Sequence, residues 1–384
     1  MKKILIFVTH GLGEFDVVFP LIARVKRDER CSFTIIITVR KIFRQFNESD
    51  FYRYCAGKLG VTILFCQFPN KFDHGFKLVR KYIRSRTLVG LVYNCYLIFK
   101  ALLIYRHLAK SDCFMHEVTN QWSTTKVMYW LKGRQIFSYM HGHGITTDTV
   151  FKHKVRRAQD VIYLNFHEHN RSAVEQMGFP NQIIIGYPKL SRDWENLVRS
   201  YHPNSPIGAN SVVIFTRPIN KVYMTEENYH ALLFSSFKAI RNILGHVLIV
   251  IKMHPREDER VGARIMREIG FDENTLVSKE HAAVLSRDAL ATITFWGSTV
   301  FDGFSMNKPT IEYFIEGPGF RKSEPCGSAY KKAGFHSVSN QAQLESILRD
   351  VARGTYKESV TLQGLRETEA NSAFWNTLPR QLCC

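Results

Sequence analysis

Residues 1–28 read MKKILIFVTHGLGEFDVVFPLIARVKRD, and they decide the fold class. The apolar run Ile4 to Val8 ends in a glycine-bearing turn, THGLGEFD. That turn opens into VVFPLIARVKRD, where Val17, Leu21, Ile22 and Val25 recur at helical spacing. Strand, glycine turn, helix is the opening of a βαβ unit. The basic start superficially matches a secretory leader, but five apolar residues fall short of the ~7–15 that such a leader needs, and no small-residue cleavage site follows. The run therefore reads as a buried first strand and the chain as cytoplasmic.

Outward from this unit the pattern repeats. SFTIIITV at 32–39 and VTILFCQF at 61–68 read as the next strands, followed by QIFSYM (135–140), DVIYLN (160–165) and QIIIGY (182–187). Apolar strands separated by helical stretches imply a parallel sheet covered on both faces. PKLSRDWENLVRSYHPNSPIGANS (188–211) then lacks periodicity and reads as a linker. The alternation restarts with SVVIFTR (211–217), a helix in ENYHALLFSSFKAIRNIL, HVLIVIKMHP (246–255), a helix in VGARIMREIG, ALATITFWGST and KPTIEYF, and closes on the helical NQAQLESILRDVARG. Two α/β halves of comparable length in 384 residues predict two facing Rossmann-like domains with a nucleotide-binding cleft between them. They are placed at 1–190 and 205–355, with 356–384 as a C-terminal helix or tail.

Lys and Arg number 52 against 34 Asp and Glu, a net charge of +18, which points to a polyanionic partner: nucleic acid, an anionic membrane surface or a phosphorylated substrate. No zinc-finger spacing, RNP-like aromatic motif or homeodomain-like helix is present, so nucleic acid is not expected as a partner. The eight cysteines form no CxxC, and the first five lie among apolar residues as small core side chains do. At this size a disulfide framework is not expected, which reads as a reducing compartment. Residues 71–86, KFDHGFKLVRKYIRSR, carry six Lys/Arg and run straight into TLVGLVYNCYLIFKALLIY. The apolar part is about as long as a membrane span, but Asn94 and Lys100 interrupt it. Cations beside apolar and aromatic side chains favour peripheral association of the segment at about 71–110 with an anionic membrane surface.

In open parallel sheets ligands bind at the carboxyl ends of the strands. The unusual residues of this sequence fall there repeatedly. His10, Gly11, Gly13, Glu14 and Asp16 follow the first strand, and His141, Gly142, His143 and Gly144 follow the strand at 135–140. In the second half Thr216 and Arg217, then Lys252, His254 and Pro255, then Gly297, Ser298 and Thr299 occupy equivalent places. His141 and His143 alternate on an extended segment and so point to opposite faces, and no cysteine lies near them. No metal is expected there. The HEHN at 167–170 reads as a solvated helix start or part of an acceptor cleft.

KMHPRE and, some forty residues later, TFWGSTVFDGFSMNKPTIEY resemble the nucleotide-binding half of two-domain (GT-B) glycosyltransferases. More narrowly, they resemble bacterial surface-polysaccharide enzymes: capsular polysialyltransferases and Kdo transferases that use CMP-sugars, and CDP-glycerol glycerophosphotransferases. The shared elements are Lys252, His254 and Pro255; Ser298 and Thr299; and Lys308 and Pro309, with GYPK at 186–189 matching the crossing between domains. The acidic Asp/Glu-Asp/Glu-Gly element of the polysialyltransferases is missing, as is the spaced glutamate pair of retaining enzymes. The resemblance implies an inverting, metal-independent transferase with no cofactor, whose donor is a nucleotide-activated sugar and whose acceptor is an oligosaccharide, glycolipid or polymer. It implies donor binding by Lys252, His254, Pro255, Ser298 and Thr299, which Thr216, Arg217 and Gly297 are expected to join from their places just past strands. The catalytic base is expected among Glu14, Asp16, His141 and His143, with His10, Gly11, Gly13, Gly142 and Gly144 lining the acceptor side. Transfer of a polyol phosphate from a CDP donor is the alternative, and a UDP-sugar epimerase a third.

Overall fold

The computed structural model describes residues 2–26, 31–68, 86–117, 127–128, 130, 133–141, 158–203, 210–220, 222–270, 272–317, 319–323 and 327–357. Two parallel sheets form its frame. The first contains β1 (Lys2–Val8), β2 (Cys31–Ile37), β3 (Thr62–Phe65), β4 (Cys113–Glu117), β5 (Gln135–Tyr139), β6 (Ile162–Asn165) and β7 (Gln182–Ile184), in the order β3-β2-β1-β4-β5-β6-β7. The second contains β8 (Ser211–Phe215), β9 (Leu248–Lys252), β10 (Thr275–Val277), β11 (Ala289–Thr294), β12 (Thr310–Tyr313) and β13 (His336–Val338), in the order β10-β9-β8-β11-β12-β13. Helices cover both faces, so β8 and the Ile4–Val8 part of β1 are fully buried and carry unbroken apolar runs rather than alternation. Two facing Rossmann-like domains, the GT-B architecture, account for the whole pattern.

The central strand β4 was not anticipated from the sequence. CFMHE is buried along its length and pairs with β1 through Ile4↔Cys113 and with β5 through Cys113↔Gln135. The polar helix Tyr105–Lys110 and Ser111-Asp112 separate it from the apolar helix Arg86–Leu103, and its own run has only three apolar residues before His116 and Glu117, too few to read as a buried strand. The three-residue edge strands β10 and β13 were too short to register.

Nor is the stretch after β7 a passive linker. Pro188–Leu190 forms a tight turn and Arg192–Arg199 a helix whose first turn is capped by the Ser191 hydroxyl accepting the Trp194 N–H at 3.3 Å. Trp194 is fully buried. The helix is tied to the first domain by Arg24 pairing with Asp193 at 3.0 Å. It is tied to the second by Arg287, which donates to the Val198 and Tyr201 carbonyls, and by the Asn307 amide donating to Glu195. Phe51 of the first domain stacks on His281 of the second at 4.3 Å and meets Trp194 edge-on at 5.7 Å. The charged residues that suggested a solvated linker are the groups that bind it to both domains.

Candidate active site

In each sheet the strand order reverses once, between β1 and β4 and between β8 and β11. The loops leaving such a pair diverge to opposite faces and open a crevice at the carboxyl edge. Both crevices receive predicted site residues.

At the first crevice the turn after β1 is organised by Glu14. Its Oε1 accepts the N–H groups of Thr9 at 2.8 Å, of His10, and of Gly11 at 3.2 Å, and its Oε2 accepts the Tyr139 hydroxyl at 3.3 Å. Glu14 is wholly buried, and burial pushes its carboxyl up to about 7 despite these donors. It holds the turn and does not face the crevice. Gly11 has φ −175°, an extended conformation open to any residue, and a Cβ there would come no nearer than 4.0 Å to Gly13. A Cβ at Gly13 would lie 3.6 Å from the His141 ring.

The turn delivers His10 to the end of β4, where Glu117, absent from the predicted set, lies buried. His10 Nε2 is 3.6 Å from Glu117 Oε2 and His141 Nδ1 is 3.3 Å from Glu117 Oε1. Both rings are partly exposed, and they meet edge-to-face at 6.3 Å. The shared carboxylate has opposite outcomes for the two. Burial lowers His10 more than Glu117 raises it, so His10 stays neutral. For His141 burial is the largest influence, but contact with Glu117 and the nearby Glu14 and Asp16 outweigh it and raise the ring. Among the described residues His141 Nε2 has no hydrogen bond, leaving it as the outward nitrogen. Gly142, His143 and Gly144 lie outside the described residues. HEHN leads into the helix Arg171–Gln176, the His167 N–H donating to Asn165 Oδ1 at 3.2 Å.

The second crevice is cationic. Arg217, just past β8, lies over the Trp296 ring at 4.1 Å and the Tyr223 ring at 4.7 Å, and donates to the Trp296 carbonyl. Trp296 adopts φ 50°, a left-handed conformation costly for an aromatic residue, at the turn that sets Gly297, Ser298 and Thr299 after β11. The Ser298 side chain makes no hydrogen bond among the described residues, and Thr299 donates to Thr294 at 3.4 Å. The short helix Val300–Ser305 that follows packs closely because residue 303 is glycine: a Cβ there would sit 2.4 Å from the Thr292 and Thr310 hydroxyls.

Lys252 ends β9 and donates to the Lys279 carbonyl at 3.2 Å; burial lowers its ammonium, with the Asp16 charge opposing. His254 follows, and its Nδ1 accepts the Arg256 N–H at 3.1 Å, so the ring proton sits on Nε2. Burial first, then Arg256, Arg217 and Lys252, push this histidine down to about 3, making it a permanently neutral donor. Pro255 fixes the turn after it. Glu257, also unanticipated, braces the turn by accepting the Thr216 hydroxyl at 2.6 Å, the Tyr229 hydroxyl at 3.1 Å and the His254 N–H at 3.0 Å. Thr216 is thereby committed to structure.

Asp16 stands between the crevices and is engaged on every side. It accepts from Tyr52 at 2.7 Å, faces His281 Nε2 at 2.8 Å and pairs with Lys189 at 3.7 Å. Lys189 in turn holds Asp302 of the second domain at 2.8 and 2.9 Å. Burial opposes every charge in this cluster. Lys189 and His281 nevertheless hold Asp16 well below the usual carboxylate range, while burial and the Asp16 charge keep Asp302 above it. The two carboxylates keep the Lys189 ammonium protonated. Among the described residues no group of three or more His, Cys, Asp or Glu is arranged to hold a metal ion.

No family model and no curated protein matches the sequence. Solved structures do match in fold. The UDP-GlcNAc 2-epimerase of Methanocaldococcus jannaschii aligns with TM-score 0.59 at 12% identity, over 98% of this chain and 99% of that one. The UDP-GlcNAc 2-epimerase of Neisseria meningitidis, bound to UDP-GlcNAc, aligns with TM-score 0.56 at 11% identity, over 99% and 100%. HepE of Anabaena, in complex with UDP and glucose, aligns with TM-score 0.54 at 9% identity, over 100% and 98%.

Proposed function

We propose that the protein is an inverting glycosyltransferase. It would transfer a sugar from a nucleotide-activated donor, a CMP-sugar, to a growing bacterial surface polysaccharide or glycolipid at the inner face of the membrane. One observation carries this: two facing crevices of the same topology hold opposite chemistry, a histidine–carboxylate set in one and fixed cations with a neutral histidine in the other. The fold likeness to proteins that bind UDP-sugars supports a nucleotide-sugar donor in general. The CMP nucleotide rests on the Lys-x-His-Pro and Ser-Thr elements.

In the transfer the acceptor hydroxyl oxygen attacks the anomeric carbon from the face opposite the leaving group. As the new C–O bond forms, the bond from that carbon to the phosphate oxygen breaks, and the nucleotide leaves with the electron pair. Arg217 and Lys252 stabilise its developing charge, and His254 Nε2–H and the Ser298 hydroxyl donate to it. His141 Nε2 takes the acceptor proton, its Nδ1 side held by Glu117 as a carboxylate holds the histidine of a catalytic pair. His10 stays neutral beside it. No step calls on a metal or cofactor.

Thermal melting with CMP, CDP, UDP and GDP tests the proposal. A ligand at about 100 times its Kd adds about 2.7 kcal/mol to the stability of the folded state, a rise of several degrees. CMP is expected to give the largest rise, and His254→Ala to remove it while leaving the unliganded melt nearly unchanged. Absence of a shift with all four nucleotides rejects the proposal. A UDP-sugar epimerase is the second reading, favoured by the fold likeness to two such enzymes. Conversion of UDP-GlcNAc alone, with no acceptor present, would establish it instead.

A further inference from the structure

The helix Arg86–Leu103 buries only a narrow stripe. Tyr93 and Leu97, four residues apart, pack with Ile104 and Leu108 onto the Phe7, Phe68 and Phe114 cluster of the first sheet, and Val89, four residues before Tyr93, is also buried. Its other face stands open, with Leu91 58%, Phe99 53%, Leu102 62% and Leu103 60% exposed, and with Tyr96, Ile98 and Tyr105 exposed beside them. Contiguous large apolar side chains in water mark a binding surface.

We infer that this face docks on an anionic phospholipid bilayer, lying in the headgroup region without crossing it. Charge identifies the occupant. Between Asp73 and Asp112 the sequence has no acidic residue and eight Lys/Arg. Lys100 sits within the apolar face, its ammonium 5.3 Å from the Tyr96 ring centre, and Arg106 and Lys110 follow directly. Apolar side chains flanked by cations and tyrosines match acyl chains beneath phosphate headgroups. A second copy of the chain would bring like charges face to face, which disfavours self-association through this surface. No helix among the described residues is long and apolar enough to cross a membrane, so the helix lies on the surface.

The placement also orients the site. The Lys100 carbonyl accepts from the Cys66 thiol at 3.6 Å, just past the carboxyl end of β3. The helix therefore meets the same edge of the sheet that carries His10 and Glu117. Docking there brings that edge toward the bilayer, whatever reaction the crevices perform.

Co-sedimentation of the full chain with vesicles tests the inference without any donor or acceptor. Vesicles of phosphatidylcholine with phosphatidylglycerol are expected to bind at least about tenfold more protein than phosphatidylcholine alone, with binding falling as salt rises from about 0.1 to about 0.5 M. Leu91→Glu/Leu102→Glu is expected to reduce binding at least about tenfold, and Lys100→Gln/Arg106→Gln to flatten the salt dependence, both with unchanged melting. Should the glutamate variant melt early, Leu91→Ser/Leu102→Ser at the same exposed positions carries the test. Equal binding to neutral vesicles, no binding at all, or a dimer in sedimentation equilibrium that the Leu91 and Leu102 substitutions dissociate would each overturn it.

Discussion

The crevice between β1 and β4 and the crevice between β8 and β11 have one topology and opposite charge. In the first, a buried carboxylate, Glu117, is shared by two histidines, and a second, Glu14, locks the turn. In the second, Glu257, partly buried, likewise locks a turn through a backbone N–H and two hydroxyls, yet the groups around it are Arg217, Lys252 and His254. Each half uses a glutamate as a brace, and the neighbours decide what the braced turn can do. Strand order positions a site, while local charge assigns protons: His141 is raised by carboxylates and His254 is lowered by burial and cations.

Lys189→Ala is the severest way to break the comparison, because Lys189 is the cation shared by Asp16 of the first half and Asp302 of the second. Leaving the buried Asp302 and the partly exposed Asp16 without it is expected to cost about 3–5 kcal/mol in urea unfolding. A loss under about 1 kcal/mol would mean that the remaining contacts, such as Arg287 with the Val198 carbonyl and Asn307 with Glu195, hold the halves without it. His141→Ala is expected to lower turnover about 10²–10⁴-fold with nucleotide-induced stabilisation intact. Loss of both together would show that the crevices do not divide the work. Arg217→Ala acts on the other side, weakening nucleotide binding by about 1.5–3 kcal/mol in titration calorimetry.

The pH dependence sharpens the comparison further. Glu14 has a folded-state value raised from 4.5 to about 7, and that of His141 is raised from 6.5. Groups raised on folding stabilise the protein below their unfolded values and lose that contribution as pH rises through the folded ones. The Glu14 contribution, on the order of 1–3 kcal/mol, is therefore expected to be lost between about pH 5 and about pH 8, while His254, lowered from 6.5 to about 3, acts in the opposite direction; the Glu14 part is read as the difference in unfolding free energy between the unsubstituted protein and Glu14→Gln across that range. Activity should rise over the upper part of the same range as His141 loses its proton. Glu117→Gln should move that rise to lower pH by removing the carboxylate that favours the imidazolium; an unmoved profile would assign the base elsewhere.

Much of this was legible in the chain. The apolar runs at 4–8 and 211–215 are long enough, and close enough to glycine or polar turns, to be read as buried parallel strands. The histidines and cations past them followed from the rule that ligands gather at carboxyl ends. β4 was not legible, because CFMHE has only three apolar residues before His116 and Glu117, whereas buried parallel strands are read from longer apolar runs. With β4 went Glu117, which looks like any surface acid until the strand before it is placed at the centre of the sheet. The helix Arg192–Arg199 was hidden for a different reason: its Asp193 and Glu195 look solvated because their partners Arg24 and Asn307 lie far away in sequence.

By itself the sequence determined the α/β class, the two halves, the strand ends that carry His10, His141, Arg217, Lys252 and His254, and the apolar, basic character of the segment before Ser111. These depend on periodicity and local composition, which neighbouring residues set among themselves. Only the tertiary structure decided that Glu14 is a brace, that Asp16 is locked in a buried cluster with Lys189, His281 and Asp302, and that Glu117 stands behind two histidines. A carboxylate's role depends on its burial and on the charges facing it, and here those charges come from residues up to 286 positions away, as with Asp16 acting on Asp302.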